Sequence, residues 1–198
     1  MARVAIIYYS STGTNEAMAK AVAEGAAAAG AEARVRIVAE TAPAAAIDSN
    51  PGWRAFVNRT ASAPHASHDD IEWADGIVFG TPTRFGNVSA QLKGFIDTLG
   101  GLWFQGKLAN KIYAGFTSAL NAHGGQESTL LALYNSLYHF GGIIVTPGYT
   151  DPLVMASGGN PYGPSVTTGM KGDPPTPADL AHAAYLGKRV AQMAAKLK

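Results

Sequence analysis

The sequence contains no cysteine among its 198 residues. This absence excludes disulfide bonds, thiolate nucleophiles, thiolate zinc sites and cysteine-ligated iron–sulfur clusters. If the protein carries out redox chemistry, an organic cofactor therefore has to carry the electrons.

Charged residues are also scarce, at 15% of the chain, and they nearly balance to a formal net charge of +1. The basic residues form no cluster interleaved with aromatics, which argues against nucleic-acid binding. The apolar run near the N-terminus, residues 4–9, is too short for a signal-peptide core or a membrane span. We therefore expect a cytoplasmic protein without membrane insertion.

Short runs of apolar, β-branched and aromatic residues alternate with helical patterns along the chain. Such runs predict five buried strands, at residues 4–9, 35–38, 77–80, 112–116 and 143–145. Strands that alternate with helices predict an α/β fold, with a parallel sheet and helices on both faces. We expect one domain over residues 1–198, with irregular excursions at about 40–70 and 146–175, where Pro and Gly interrupt the pattern.

Three unusual loops follow strands 1, 3 and 4, at the edge where an open parallel sheet binds its ligands. The first loop, residues 10–15, consists of small and hydroxyl-bearing residues before a helix. Converging backbone N–H groups and the helix dipole favour an anion there. The loop lacks the Walker ending and the three glycines of a dinucleotide fingerprint. It predicts a single-phosphate site, and the alternative is a plain polar turn with an N-cap.

The second loop places Arg84 and Phe85 between Pro82 and Gly86. A rigid turn with one exposed aromatic and one cation suits the edge of a flat polar ring. The alternative is that Phe85 belongs to the core and that Arg84 is a solvated charge.

The third loop, residues 117–125, contains Ser118, Asn121 and His123 and ends in a glycine pair before a helix. These side chains offer further hydrogen bonds to a ligand, and the alternative is a flexible connection. No spacing of His, Asp and Glu resembles a metal site, and no order of Ser, His and Asp indicates a hydrolase.

Several aromatic and histidine residues outside these loops allow two interpretations. Trp103 and Phe104 follow a glycine pair and are predicted to lie in a loop, where the tryptophan either stacks on a ligand or plugs the core edge. His139, near a helix end, is either a capping or core residue or a functional one. The remaining histidines considered, His65, His68 and His182, are expected to be solvated.

In chain order, the motifs resemble the flavodoxin-fold NAD(P)H:quinone oxidoreductases of the tryptophan-repressor-binding-protein family. The resemblance covers essentially the whole chain. Its most specific stretches are YYSSTGTN at residues 8–15, GTPTRFGNVSAQLKGFID at 80–97, GGLW at 100–103, HGGQE at 123–127 and GGNPYG at 158–163. The chain departs from many relatives at Thr12, where they carry an aromatic that helps to hold the nicotinamide nucleotide, and at residues 118–123 (SALNAH), where close relatives have a Ser/Thr/Gly run.

This resemblance implies a flavodoxin-like three-layer sandwich, with a five-stranded parallel sheet in the order 2-1-3-4-5 and FMN at its switch point. It also implies NADH or NADPH as electron donor, a small quinone as acceptor, Trp103 beside the acceptor pocket, and a homotetramer whose active sites are completed by neighbouring subunits. The residues that it implies for FMN are Ser10, Ser11, Thr12, Gly13, Thr14, Asn15, Pro82, Thr83, Arg84, Phe85, Gly86, Ser118, Ala119, Leu120, Asn121, Ala122, His123 and His139.

The leading functional hypothesis is an enzyme in which NAD(P)H reduces FMN and a quinone then takes two electrons. One alternative is a flavodoxin-like electron carrier, and another is a structural protein of the same fold without turnover. Classical carriers are strongly acidic, so the net charge of +1 favours the enzyme. The sequence assigns no catalytic side chain and no metal ligand.

Overall fold

Strands and helices alternate along the whole chain in a computed structural model that describes residues Met1–Lys198. The strands are β1 (Arg3–Tyr8), β2 (Glu32–Ile37), β3 (Gly76–Pro82), β4 (Ile112–Ala119), β5 (Ile143–Ile144) and β6 (Ser165–Thr167). The helices are α1 (Thr14–Ala28), α2 (Ala44–Asp48), α3 (Pro51–Arg59), α4 (His68–Trp73), α5 (Ala90–Thr98), α6 (Gly100–Phe104), α7 (Gln126–His139), α8 (Pro152–Ala156) and α9 (Pro177–Lys196).

All strand pairs are parallel, and the order β2-β1-β3-β4-β5 confirms the predicted topology. The sheet has a sixth strand that the sequence did not predict, because β6 also pairs with β4. The short β5 pairs with Ile112 and Tyr113 at the start of β4, and β6 pairs with residues 117–119 at its end. The two short strands thus share one edge position, and the segment between them leaves the sheet and returns to it.

Buried apolar residues cover both faces of the sheet, as a parallel sheet requires. Val4, Ile6 and Tyr8 of β1 face a cluster that includes α1 and α9, whereas Ala5 and Ile7 face a cluster that includes α5 and α7. Helices α1 and α9 approach each other closely. A Cβ at Gly25 or Gly187 would lie within 2 Å of a carbonyl oxygen of the other helix, so only glycine allows this contact.

The two stretches expected to be irregular contain regular elements, which corrects that prediction. Helices α2 and α3 lie within residues 40–70, α4 begins at the end of this stretch, and α8 and β6 lie within 146–175. Asn50 and Asp151 cap α3 and α8, each followed by a proline at the first helical position. Because these helices span only 5 to 9 residues, an apolar period has no room to repeat.

Two further predictions were wrong in detail. Trp103 and Phe104 lie in the short helix α6, because the glycine pair continues the chain into a new helical turn after Leu99. His182 is buried, with 1% of its surface exposed, and its Nδ1 lies 2.6 Å from the Ser157 hydroxyl. Burial lowers the pKa of His182 to about 4. None of the helices combines the length and apolar character that crossing a membrane requires.

Candidate functional site

Strands β1, β3 and β4 end side by side at the carboxyl edge of the sheet, where Tyr8 pairs with Gly80 and Pro82 with Ser118. The three predicted loops meet there around a cavity of about 450 Å³. Its lining residues are mostly small and polar: Ser10, Ser11, Thr12, Thr14, Asn15, Pro82, Thr83, Arg84, Phe85, Ser118, Ala119, Leu120, Asn121, Gly124 and Thr168.

The first loop presents backbone N–H groups that have no partner within the chain. The Gly13 N–H donates to the Ser10 hydroxyl at 2.9 Å, and the Asn15 amide nitrogen donates to the Tyr9 carbonyl at 3.2 Å. The backbone N–H groups of residues 11, 12, 14 and 15 donate no hydrogen bond, and no side chain caps α1. Gly13 has φ +107°, which only glycine adopts readily. Unpaired N–H groups at a helix N-terminus form an anion site.

The second loop is a tight turn that points an aromatic side chain into solvent. Arg84 and Asn87 exchange backbone hydrogen bonds of 2.8 and 3.0 Å, and the central residues Phe85 and Gly86 have φ of 54° and 75°. Positive φ at both positions is typical of a type I′ turn, and it is rare for a bulky residue such as phenylalanine. Phe85 is fully exposed, so it is not the core residue that the alternative interpretation required.

The third loop is fixed to the second loop and to the segment that follows β6. The Thr83 N–H donates to the Ser118 carbonyl at 2.8 Å. A Cβ at Gly125 would lie 2.8 Å from Gly86, so the two loops touch. The Thr168 N–H donates to the Ala119 carbonyl at 2.9 Å. The third loop is therefore held in place by these contacts and is not a flexible connection.

Two buried amide oxygens near the cavity lack a partner in the chain. These are Oδ1 of Asn15, in a side chain that is 1% exposed, and Oε1 of Gln126, at the start of α7. A buried acceptor without a hydrogen bond is costly, and at a ligand site it indicates a donor supplied by the ligand. Asn15 itself lines the cavity, so its side chain borders the space that a ligand would occupy.

Most residues expected to hold a cofactor lie at this one cavity. Thirteen of them line it; Gly124 and Thr168 line it as well and were not predicted. Gly13 borders a neighbouring cavity of about 640 Å³, together with Arg59 and Lys171. No sequence pattern predicted that Thr168 would lie at the cavity, because it follows the short strand β6, which was itself not predicted. Among the remaining predicted residues, Gly86 shapes the second loop, and Ala122 and His123 belong to the third loop but do not line the cavity.

Trp103 and His139 lie together, away from this cavity. The Trp103 indole N–H donates to the His139 carbonyl at 2.8 Å, and both residues line a groove of about 300 Å³ beside α5 and α7. Helices between parallel strands run back toward the amino edge of the sheet. Because α6 follows α5 and His139 ends α7, this pair lies toward the edge opposite the cavity.

A charged pair borders the first loop without lining the cavity. The Arg59 guanidinium donates to both carboxylate oxygens of Glu16, and this hydrogen bonding is the main cause that lowers the pKa of Glu16. Burial is the main cause that raises the pKa of the neighbouring Tyr8 to about 12. Arg84 is the only ionisable side chain that lines the cavity itself. The cavity is thus suited to binding and orienting a ligand, and it offers no carboxylate or imidazole for acid–base chemistry.

Comparison with known proteins gives concordant results. Residues 2–151 match the family model described as NADPH-dependent FMN reductase. A Deinococcus radiodurans protein named NAD(P)H dehydrogenase (quinone) is 49% identical over 98% of this chain and 96% of its own length. A protein of the same name from Azorhizobium caulinodans is 45% identical over 100% of this chain and 99% of its own length.

Solved structures agree with the fold. A flavodoxin, WrbA-like protein from Agrobacterium tumefaciens superposes with a TM-score of 0.72 at 27% identity, and each chain is fully covered. A flavodoxin from the domain Archaea, at 16% identity and a TM-score of 0.63, shows the shared fold alone. With the family match over residues 2–151, these relatives establish that the chain has a flavodoxin-like fold and belongs to the NADPH-dependent FMN reductase family.

Proposed function

We propose that the chain is an FMN-dependent oxidoreductase that transfers two electrons from NAD(P)H to a quinone. The family match and the names of the full-length relatives support this function. The structural observation that carries it is the cavity of about 450 Å³ at the carboxyl edge, which is lined by residues of the first loop whose N–H groups are unpaired. Pockets for small ligands typically have volumes of about 300–1,000 Å³.

The residues present fit FMN. The N–H groups of residues 11, 12, 14 and 15 would hold the phosphate, with no lysine or arginine needed. The orphaned Asn15 oxygen would accept a hydrogen bond from a ribityl hydroxyl. The turn around Phe85 and the loop from Ser118 to Gly124 would hold the ring system, and the contacts between these loops fix their separation.

FMN supplies the hydride-accepting and electron-donating chemistry when it is bound. The chain's contribution is to bind, orient and shield. The two paired loops hold one wall of the cavity, and the exposed ring of Phe85 can cover the ligand from water. No side chain of this cavity is a candidate general acid or base, since the lining contains no carboxylate and no imidazole.

Self-association is part of the proposal, because Trp103 and His139 line a separate groove and do not reach the chain's own cavity. Helices α6 and α7 each expose two large apolar side chains: Trp103 is 53% exposed, Phe104 86%, Leu131 45% and Tyr138 61%. Exposed aromatics of this kind are enriched at subunit contacts. A homotetramer of paired two-fold symmetry would cover these side chains and could bring Trp103 and His139 to a cavity of another subunit.

One experiment tests the enzymatic function directly. Purified protein should be yellow, release FMN and not FAD on denaturation, and reduce benzoquinone at the expense of NADH or NADPH. An electron carrier or a structural protein would bind flavin and show no turnover with either nucleotide, and that result would overturn the proposal.

Assembly requires its own measurement. Sedimentation velocity at several protein concentrations should show a tetramer, and activity should fall under conditions that yield monomers. A fully active monomer at every concentration would show that the catalytic pocket is complete within one chain.

A further inference from the structure

Five hydrogen bonds converge on the carboxylate of Glu40, which follows β2 and lies outside the cavity. Its Oε1 accepts from the backbone N–H groups of the next two residues, at 2.9 and 2.8 Å, and from the Gln91 amide at 2.8 Å. Its Oε2 accepts from the Tyr9 hydroxyl and from the Trp53 indole N–H, both at 2.8 Å. Every donor is neutral, and no lysine, arginine or histidine pairs with this carboxylate.

The side-chain donors come from three separate segments of the chain. Tyr9 is fully buried and directly precedes the first loop. Gln91 lies in the first turn of α5, which begins just after the second loop. Trp53 lies in α3. One carboxylate therefore connects the bases of two loops that are 70 residues apart in sequence and adjacent in space.

Helix α3 extends this connection onto the first loop. The ring of Phe56 lies 3.5 Å from the position that a Cβ would take at Gly13. Arg59, at the end of the same helix, pairs with Glu16 in the first turn of α1. The bond from Trp53 to Glu40 holds the other end of α3. The helix is thus fastened at both ends, with the first loop beneath it.

The hydrogen bonds favour an ionised carboxylate. Burial raises the pKa of Glu40, but the donors from Ala42, Gln91, Tyr9 and Trp53 together outweigh burial and keep the pKa below its ordinary value. A glutamine at this position has the same shape, but it offers one acceptor oxygen and places an N–H₂ group among donors. Charge-assisted hydrogen bonds are about twice as strong as neutral ones.

We propose that Glu40 is a positioning residue that sets the spacing of the first and second loops and so prepares the cavity for FMN. This inference rests on the proposed function, since it takes FMN as the ligand of that cavity. Glu40 does not line the cavity, so it acts through Tyr9, Gln91 and Trp53.

The test is fluorescence titration of the apoprotein with FMN, together with urea unfolding of the same apoprotein. Glu40→Gln should raise the Kd for FMN about 10- to 100-fold, because several charge-assisted bonds are weakened at once. Gln91→Leu removes one donor and should raise the Kd by a smaller factor. Glu72→Gln is the matched control, since Glu72 pairs with Lys107 on the surface, and its Kd should equal that of the wild type.

The two measurements separate positioning from simple stabilisation. If Glu40 were purely structural, Glu40→Gln would lower the free energy of unfolding and leave the Kd of the folded protein for FMN unchanged. This result would overturn the inference. If Glu40→Gln does not fold, Gln91→Leu decides the question in the same way. Wild-type protein that binds no FMN would instead overturn the proposed function, so the two failures are distinguishable.

Discussion

The polar groups at the two edges of the sheet differ in whether they are hydrogen-bonded within the chain. At the amino edge, Asp75 accepts hydrogen bonds from the Arg3 backbone and guanidinium and from Lys198. Lys111 donates to three backbone carbonyls at the end of α4. At the carboxyl edge, four N–H groups of the first loop and the Asn15 oxygen have no partner.

This difference separates stability from function within one sheet. Polar groups that satisfy each other lower the free energy of the folded chain and leave nothing to bind a ligand. Polar groups left unpaired, and the positive φ of Phe85, cost stability and are retained where a ligand completes the site. The chemistry therefore belongs to the carboxyl edge, although the amino edge carries more charge.

The largest expected effect comes from breaking the first loop. Gly13→Val places a β-branched residue at φ +107°, so the N–H groups can no longer converge, and the Kd for FMN should rise at least about 100-fold. Fluorescence titration measures it. The matched control is Gly30→Val at the other end of α1, which also has positive φ (+80°) and open space around it. The placement of the phosphate is wrong if Gly13→Val retains the affinity of the wild type.

A second substitution tests whether Trp103, on the amino side of the molecule, contributes to the cavity of another subunit. Trp103→Ala should lower kcat/KM for benzoquinone about tenfold, while the Kd for FMN stays the same, because Trp103 does not line its own chain's cavity. Steady-state kinetics and flavin titration check both parts. Since Trp103 is half exposed, a stability loss of about 3–5 kcal/mol with unchanged kinetics would contradict this assignment and indicate a core role.

At the amino edge we expect the opposite result, a loss of stability without a loss of FMN affinity. Asp75→Asn removes the charge that Arg3 and Lys198 share, and it should lower the free energy of unfolding by about 1–2 kcal/mol. The Kd for FMN should change less than about twofold. Urea denaturation and flavin titration on one preparation give both values. Weakened FMN binding with unchanged stability would mean that the two edges are not independent.

The smallest expected effect is the pH dependence of the stability difference between the wild type and Asp75→Asn. Burial raises the pKa of Asp75, but the bonds from Arg3 and Lys198 outweigh burial and keep it below the ordinary value of 3.8. A lowered pKa in the folded state stabilises the protein above the unfolded pKa, and this stabilisation is lost as the pH falls through the folded pKa. The gap in urea midpoint between wild type and Asp75→Asn should be full at pH 6 and shrink below about pH 4. A gap that stays constant across this pH range would show that folding does not lower the pKa of Asp75.

Local sequence patterns were sufficient for the elements with long or strong signals. The runs at residues 4–9 and 77–80 predicted β1 and β3. The loop at residues 10–15 lies beside its cavity as expected. The strand order itself came from the resemblance, because no local signal specifies which parallel strands become neighbours.

The parts that the sequence did not reveal depend on tertiary contacts. Strand β6 has three residues and is defined by pairing with the end of β4, so neither it nor the adjacent Thr168 could be recognised from a period. His182 was predicted to be solvated, because its hydrogen-bond partner Ser157 is 25 residues away in sequence, at the end of α8. Glu40 lies in a stretch without a pattern, and the outermost of its five donors, Tyr9 and Gln91, are 82 residues apart in sequence.

The central claim is that FMN binds at the carboxyl edge and leaves the amino edge untouched. Backbone amide NMR of ¹⁵N-labelled apoprotein during titration with FMN tests this directly. The largest shifts should fall on residues 10–15, 82–87 and 118–124, with little change at Arg3, Asp75 and Lys111. Shifts concentrated at the amino edge, or no shift in the first loop at saturating FMN, would contradict the account.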